Sequence, residues 1–393
     1  MDFPMNTNFI NQYNLHKVSS IFLIALAIFS YFFGFYFDEN SAGAGSYSGD
    51  ITIIWNNVKI FLANDIVSSI HHEDYYSSRT PLVYILHKIF NPFTDNIINF
   101  RKSVFIISLT LPILFFFCLK QKFKNQDSVL LFLISSVVFL SPYYRTSGYW
   151  GLEENFGYIF LLLSFLSVNA FLKNGHKNGY KVHFLLFMST FFSSCCLYFD
   201  QKLIIIPLIC FLAIIASNKL LKFKLFSIFY YLLFSLPYIY LIILWGGLIP
   251  ATLLDLSTGR KLGTEIFLIH IGYASTMIGF YLFPLLFFKN INVFVLIKNL
   301  FFDKKNYFFV SLFIIYIIYL IGFFDFNIQS DSATNIHSTG KGFVDKISQI
   351  LFRDNVLKLI FIYSSFFISW IIILIFIENK LIDILTIIYL LIL

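Results

Sequence analysis

Residues 21–39 read IFLIALAIFSYFFGFYFDE, an uncharged and mostly apolar run that stops at Asp38-Glu39. Traced back to Val18 it reaches the roughly 20 residues that carry a helix across a hydrocarbon core of about 30 Å. Roughly sixty residues then pass, up to the next apolar run near Ser103, without a second spanning segment. They include Asp50, Asp65, His71-His72-Glu73-Asp74 and Ser78-Arg79-Thr80-Pro81. Loops this long inside a compact structure are uncommon and tend to be functional. Chemistry at a membrane surface is the expected reason here.

Composition excludes an ordinary soluble domain. The chain is 58% apolar with 12% charged residues, where a soluble average is about 25% charged. Lipid supplies no hydrogen-bond partners, so long apolar runs must be helices or a closed barrel. These runs are continuously apolar, unlike the alternating strands of a barrel. Candidate spans lie at about 18–37, 103–119, 128–142, 152–172, 182–199, 202–217, 225–245, 267–288, 306–324 and 355–377, with a last piece from 381. The expected fold is an all-α polytopic membrane protein, a single domain over 1–393. It has about 11 transmembrane helices and a long first extracytoplasmic loop, 38–101, containing interfacial helices. A second extracytoplasmic loop is expected at 325–354. The four cysteines lie within apolar runs, against a disulfide framework. No Asn-X-Ser/Thr sequon occurs.

Lysine placement orients the chain. Alternating the spans from a cytoplasmic N-terminus puts 15 basic against 5 acidic residues inside and 13 against 16 outside, matching the net charge of +7. That is the positive-inside pattern over every cytoplasmic loop. The basic balance therefore reports orientation, and no nucleic-acid partner is implied. The expected location is a bacterial inner membrane, with the long loop outside. Ala42-Gly43-Ala44 resembles a signal-peptidase site, but the preceding run is long, aromatic and poorly charged at its start, so it is read as an uncleaved span. Leu381–Leu393 is too short to cross, so the chain is expected to stop inside its eleventh helix, with a C-terminal part missing.

All five arginines, Arg79, Arg101, Arg145, Arg260 and Arg353, fall on the outer side, whereas 15 of 23 lysines fall inside. Lysine suffices for orientation; arginine adds a planar fork that binds phosphate or carboxylate through paired hydrogen bonds. Pairing with outer carboxylates is the simple reading for any one of them. For the set, a phosphate-bearing lipid ligand is the better explanation.

Within the first loop, Ile51, Ile54, Trp55, Val58, Phe61 and Leu62 recur at helical spacing and predict an amphipathic helix. Asp50 sits just before it and is either its N-cap or a functional acid. Thr80-Pro81 reads as a cap and first helical residue opening a helix over Leu82–Phe90, closed at Asn91-Pro92. The small residues between Asp38 and Ser48 allow close approach of backbone to a ligand.

This arrangement resembles the GT-C superfamily of membrane glycosyltransferases: a short cytoplasmic N-terminus, one span, then an outer loop opening with Asp-Glu. Ser78-Arg79-Thr80-Pro81-Leu82-Val83-Tyr84 is similar to the stretch that closes this loop in bacterial ArnT-like enzymes and in dolichyl-phosphate-glucose-dependent glucosyltransferases. Ser141-Pro142 followed by Gly148–Asn155 resembles the outer turn between the third and fourth spans, where an acid precedes Asn. Trp245–Pro250 resembles a later outer turn. The chain departs from the pattern in offering two sets of acids, Asp38/Glu39 and Asp50.

The resemblance implies transfer of a sugar from a polyprenyl-phosphate donor to a glycan, lipid or protein acceptor on the outer face. A carboxylate must take the acceptor hydroxyl proton, and a cation must offset charge on the departing phosphate. Asp50 and Asp38 rank level as base, with Glu39 behind. Arg79 leads as phosphate ligand, followed by Arg145, Arg260 and Arg353. Glu153, Glu154 and Asn155 are acceptor-binding candidates, although acids at a helix start suit the dipole regardless. Asp200-Gln201-Lys202 reads as a tight outer turn, with an active-site role as the alternative. His71-His72-Glu73-Asp74 holds metal-ligand types, but adjacent residues rarely converge on one ion, so no cofactor is expected. Two rival readings stand beside this one. A polysaccharide polymerase or ligase would place its large loop later; a transporter or flippase would carry ionisable groups at mid-membrane.

Overall fold

The computed structural model describes residues 7–39, 47–77, 79–174, 179–217, 220–247 and 342–376, with isolated positions between 298 and 318. All regular structure among them is helical. Five of these helices are long and apolar enough to cross a membrane: Lys17–Tyr36, Ile97–Lys122, Glu153–Asn174, Tyr180–Leu197 and Leu221–Trp245. The expected spans at 267–288 and 381 onward, all but a few positions of 306–324, Arg260, and 325–341 lie outside the described residues.

Residues 1–256 form one unit. Its helices are α1 (Thr7–Tyr36), α2 (Tyr47–Ala63), α3 (Ile66–Ile70), α4 (Leu82–Phe90), α5 (Ile97–Ser108), α6 (Thr110–Lys122), α7 (Ser128–Ser136), α8 (Pro142–Trp150), α9 (Glu153–Asn174), α10 (Tyr180–Leu197), α11 (Ile205–Ala216) and α12 (Leu221–Trp245). Residues 257–393 form the second unit, which contributes α13 (Gly342–Leu351) and α14 (Asn355–Phe376). There Asp354 accepts from the N–H groups of Val356 and Leu357, and Phe352 packs on Phe361.

Two expected spans are not single straight helices of spanning length. The run at 128–142 breaks: α7 tightens into a 3-10 turn over Val137–Leu140, and α8 leaves it at 71°. The run at 202–217 forms an apolar helix of sixteen residues, Gln201–Ala216, below the usual length for a straight crossing.

Prolines mark where tyrosines enter the backbone ladder. Pro112 has no N–H, which frees the Ser108 carbonyl four residues earlier; Tyr144 donates its hydroxyl to that oxygen at 2.7 Å. Tyr31 reaches Ser108 Oγ at 2.7 Å, and Tyr149 donates to the Tyr31 carbonyl at 2.6 Å. α1, α5 and α8 are thereby tied together, with small residues where they meet. A Cβ on Gly148 would collide with the Tyr31 hydroxyl, and one on Gly34 with Glu39, Arg145 and Tyr149.

In the first loop α2 forms over the expected residues, with Ile51, Ile54, Val58 and Phe61 buried, Trp55 partly buried and Leu62 exposed. Its helix starts at Tyr47, so Asp50 stands in the first turn and is not the N-cap. α4 spans the expected residues, but Pro81 occupies the cap position and Thr80 does not cap. Thr80 instead donates to the Leu197 carbonyl at 3.4 Å. Lys88 on α4 donates to the carbonyls of Phe61 and Asn64, closing the C-terminal end of α2 where a cation is favoured.

Candidate functional site

The two ends of the first unit differ in charge chemistry. At one end Lys17 lies 3.9 Å from Asp127, and Lys173 donates to the Gln121 carbonyl at 3.0 Å. The opposite ends of those same spans carry Asp38, Arg101 and Glu153. There, three arginines meet five carboxylates in separate groups.

Arg79 sits in the first group. Its fork donates to Glu153 Oε2 at 2.9 Å and to Glu154 Oε1, while Nε lies 3.9 Å from Asp200 Oδ2. Three stretches of chain supply these groups: the α3–α4 loop, the first turn of α9, and the turn after α10. Asp200 is fixed by accepting from the Lys202 N–H at 2.9 Å. Tyr84 donates to the other oxygen of Glu153 at 2.5 Å, and Asn57 Nδ2 donates to Tyr84 Oη at 3.1 Å. Asn57 also exchanges hydrogen bonds with the backbone of Tyr76, so α2 fixes the loop that delivers Arg79.

Burial disfavours the charged guanidinium, but Glu153, then Glu154 and Asp200, outweigh it and raise the Arg79 pKa, so it stays charged. Burial, reinforced by Glu153, pushes the phenols of Tyr75 and Tyr84 above their ordinary range, so they remain donors. With three carboxylates around one arginine the group is net negative when all are ionised. An approaching phosphate would be repelled there. Arg79, the first-ranked phosphate candidate, therefore acts in this geometry as a clasp for acids. Glu154 Oε2 is enclosed and has no hydrogen-bond partner among the described residues.

Arg145 anchors a second group. It donates to Ser30 Oγ at 3.0 Å, to the Ser30 carbonyl at 2.7 Å, and to Glu39. Its Nε is buried without a partner among the described residues. Arg101 anchors the third group: it pairs with Asp38, donates to the carbonyls of Tyr149 and Phe35, and lies 4.5 Å from the centre of the Phe35 ring. The Asp38 side chain is 56% exposed, and the residue adopts φ +52°, a left-handed conformation that aspartate takes more readily than most residues other than glycine. Asp38 and Glu39 thus hold an arginine each.

Asn155 is buried and lines a narrow crevice with Val104, Ser108, Ser147 and Gly151. Arg353 is exposed, in the second unit. His72 accepts from the Asp74 N–H at 3.2 Å, and among the described residues no set of three His, Cys, Asp or Glu side chains is arranged to hold a metal ion.

Sequence reading passed over Asn57 and Tyr198, and named Tyr84 only as part of the Ser78–Tyr84 stretch, without a role. Asn57 had a signal: it falls on the apolar face of α2, three residues from Ile54, where an amide requires buried partners. Tyr198 looked like one more aromatic among many.

Comparison with protein-family models finds no match, and neither curated proteins nor solved structures give one.

Proposed function

We propose that the protein is a membrane glycosyltransferase that moves a sugar from a polyprenyl-phosphate donor to a lipid-linked or cell-envelope acceptor at the extracytoplasmic face. The observation that carries this reading is the gathering of Arg79, Arg101 and Arg145 with their carboxylates at the end of the spans away from the lysines. The positive-inside pattern then puts that end outside.

In this reading the acceptor hydroxyl gives its proton to a carboxylate as its oxygen attacks the anomeric carbon. The bond from that carbon to the phosphate oxygen breaks, and polyprenyl phosphate leaves. Arg145 supplies the offsetting charge. Its partner Glu39 is partly exposed, so an arriving phosphate can exchange for it, leaving a carboxylate beside the phosphate. The enclosed oxygen of Glu154 has no partner among the described residues and is left to accept a hydroxyl, with Arg79 and Tyr84 fixing the two acids of α9.

Single isosteric replacements test the assignment: Asp50→Asn, Asp38→Asn, Glu39→Gln and Glu154→Gln, each checked for expression and followed by glycan profiling in cells. Loss of a general base costs roughly 10²-fold or more, so at least one should abolish the product. Normal glycans in all four would strike every acid assigned here as proton acceptor and leave the glycosyltransferase reading without its base.

A further inference from the structure

α12 contains Pro237 within its 25 residues. Proline removes one ladder bond and pushes the helix away from the carbonyl of Leu233, four residues back. Backbone groups freed at membrane depth must be satisfied by neighbours. The next rung, from the Tyr238 N–H to the Phe234 carbonyl, is bonded at both ends by a side chain of another element. Tyr198, at the C-terminal cap of α10, donates its hydroxyl to Phe234 O at 2.5 Å and accepts from Tyr238 N at 3.0 Å. The rings of Tyr198 and Tyr238 meet edge to face at 6.2 Å.

The segments on either side of this point have different attachments. Before it, Phe223 packs with α9 and α10 residues, and Tyr231 bonds Ser193 at 2.9 Å. After it, Leu241 and Trp245 join the core made by Ile54, Val58, Phe61, Tyr75 and Tyr84 of the first loop. Tyr198 also stands two residues before Asp200, whose carboxylate faces Arg79. One short turn therefore connects the bonded rung in α12 to the acidic group.

We propose that α12 is hinged at Pro237, with the Tyr198 hydroxyl as its latch. The latched helix holds Tyr238–Trp245 against the first-loop helices; released, that segment swings away from Tyr84 and the acids it serves. Displacement of Asp200 by a bound ligand pulls on the latch through two residues. The coupling to substrate rests on reading the acidic group as part of the site; the hinge itself does not.

The test uses the full chain in lipid nanodiscs, with native cysteines replaced and spin labels at Ile243 and Leu208, both exposed. Eight residues from Pro237 to Trp245 give a lever of about 12 Å, and proline kinks exceed about 20°, so a swing moves the tip by about 4 Å. Tyr198→Phe should shift or broaden the label distance by about that amount. In a Pro237→Ala background, where the N–H is restored, Tyr198→Phe should leave the distance unchanged. The proposal is overturned if Tyr198→Phe has no effect with Pro237 present. It is equally overturned if the shift is as large in the Pro237→Ala background, which would mean general loosening. No substrate is needed, so this result stands apart from the fate of the glycosyltransferase reading.

Discussion

Replacing Arg79 with alanine should destabilise the fold before it affects any chemistry. Glu153 and Asp200 have side chains only 6% exposed, so the variant leaves two nearly buried carboxylates without their cation. Removing one partner of a buried ion pair costs about 3–5 kcal/mol. Arg79 and Glu154 keep about a quarter of their exposure, which solvates part of the remaining charge and sets the expectation near the lower end, about 3 kcal/mol. Arg79→Lys keeps the charge but lacks the fork that reaches Glu153 and Glu154 together, and should fall between. The double change Arg79→Ala with Glu153→Gln removes the most buried uncompensated charge and should recover at least half of the loss. Thermal unfolding can be followed with a thiol-reactive dye, because Cys195, Cys196 and Cys210 are buried and become accessible only on unfolding. An alanine variant that melts like wild type would refute the clasp. So would a double variant less stable than the single one.

Three further outcomes are expected. His87 is buried and neutral, its pKa lowered from 6.5 to about 4 by desolvation; the unfolded chain takes up that proton as pH falls through its ordinary value while the folded chain does not. Its contribution is therefore full above pH 6.5 and lost toward pH 4, on the order of 3 kcal/mol; the pH slope of melting should flatten in His87→Gln, and an unchanged slope would show that His87 does not titrate this way. Gly34→Ala should cost about 1–3 kcal/mol through collision with the Arg145–Glu39 pair, despite alanine's better helix propensity; a stabilised variant would mean that the pair moves aside freely. In a cysteine-free background, single cysteines at the exposed Asp95 and Asn125 should label from opposite sides with an impermeant reagent; labelling of Asn125 alone from outside would reverse the topology.

Local patterns in this chain announced local structure. The spacing of Ile51, Ile54, Val58 and Phe61 foretold the buried face of α2, and Pro81 with Asn91-Pro92 bracketed α4. Asp50 misled as a cap because it is the first strong capping residue before the apolar pattern, whereas the helix extends back to Tyr47. The 71° bend after Leu140 was hidden because residues 128–142 are apolar throughout, and composition does not distinguish a straight run from a broken one. Arg79 finds its carboxylates 74 and 75 residues along the chain, and Tyr198 finds its rung 36 and 40 residues away. Such pairings depend on which helices become neighbours, and no spacing rule encodes that. The gathering of Arg79, Arg101 and Arg145 at one end was legible; that each of the three holds carboxylates was legible only as the simplest use of an arginine.

Mass spectrometry of lipid-linked glycans in cells lacking the protein, with the intact gene restored as control, decides whether the protein transfers a sugar. A glycosyltransferase of this kind predicts two linked changes. The polyprenyl-phosphate sugar donor accumulates, and the acceptor glycan loses a single sugar from every chain. Restoring the wild-type protein reverses both, and a protein carrying the inactivating acid replacement reverses neither. Complete glycans with unchanged donor levels would contradict the account. So would intact lipid-linked glycans stranded on the cytoplasmic face, which would make the protein a transporter.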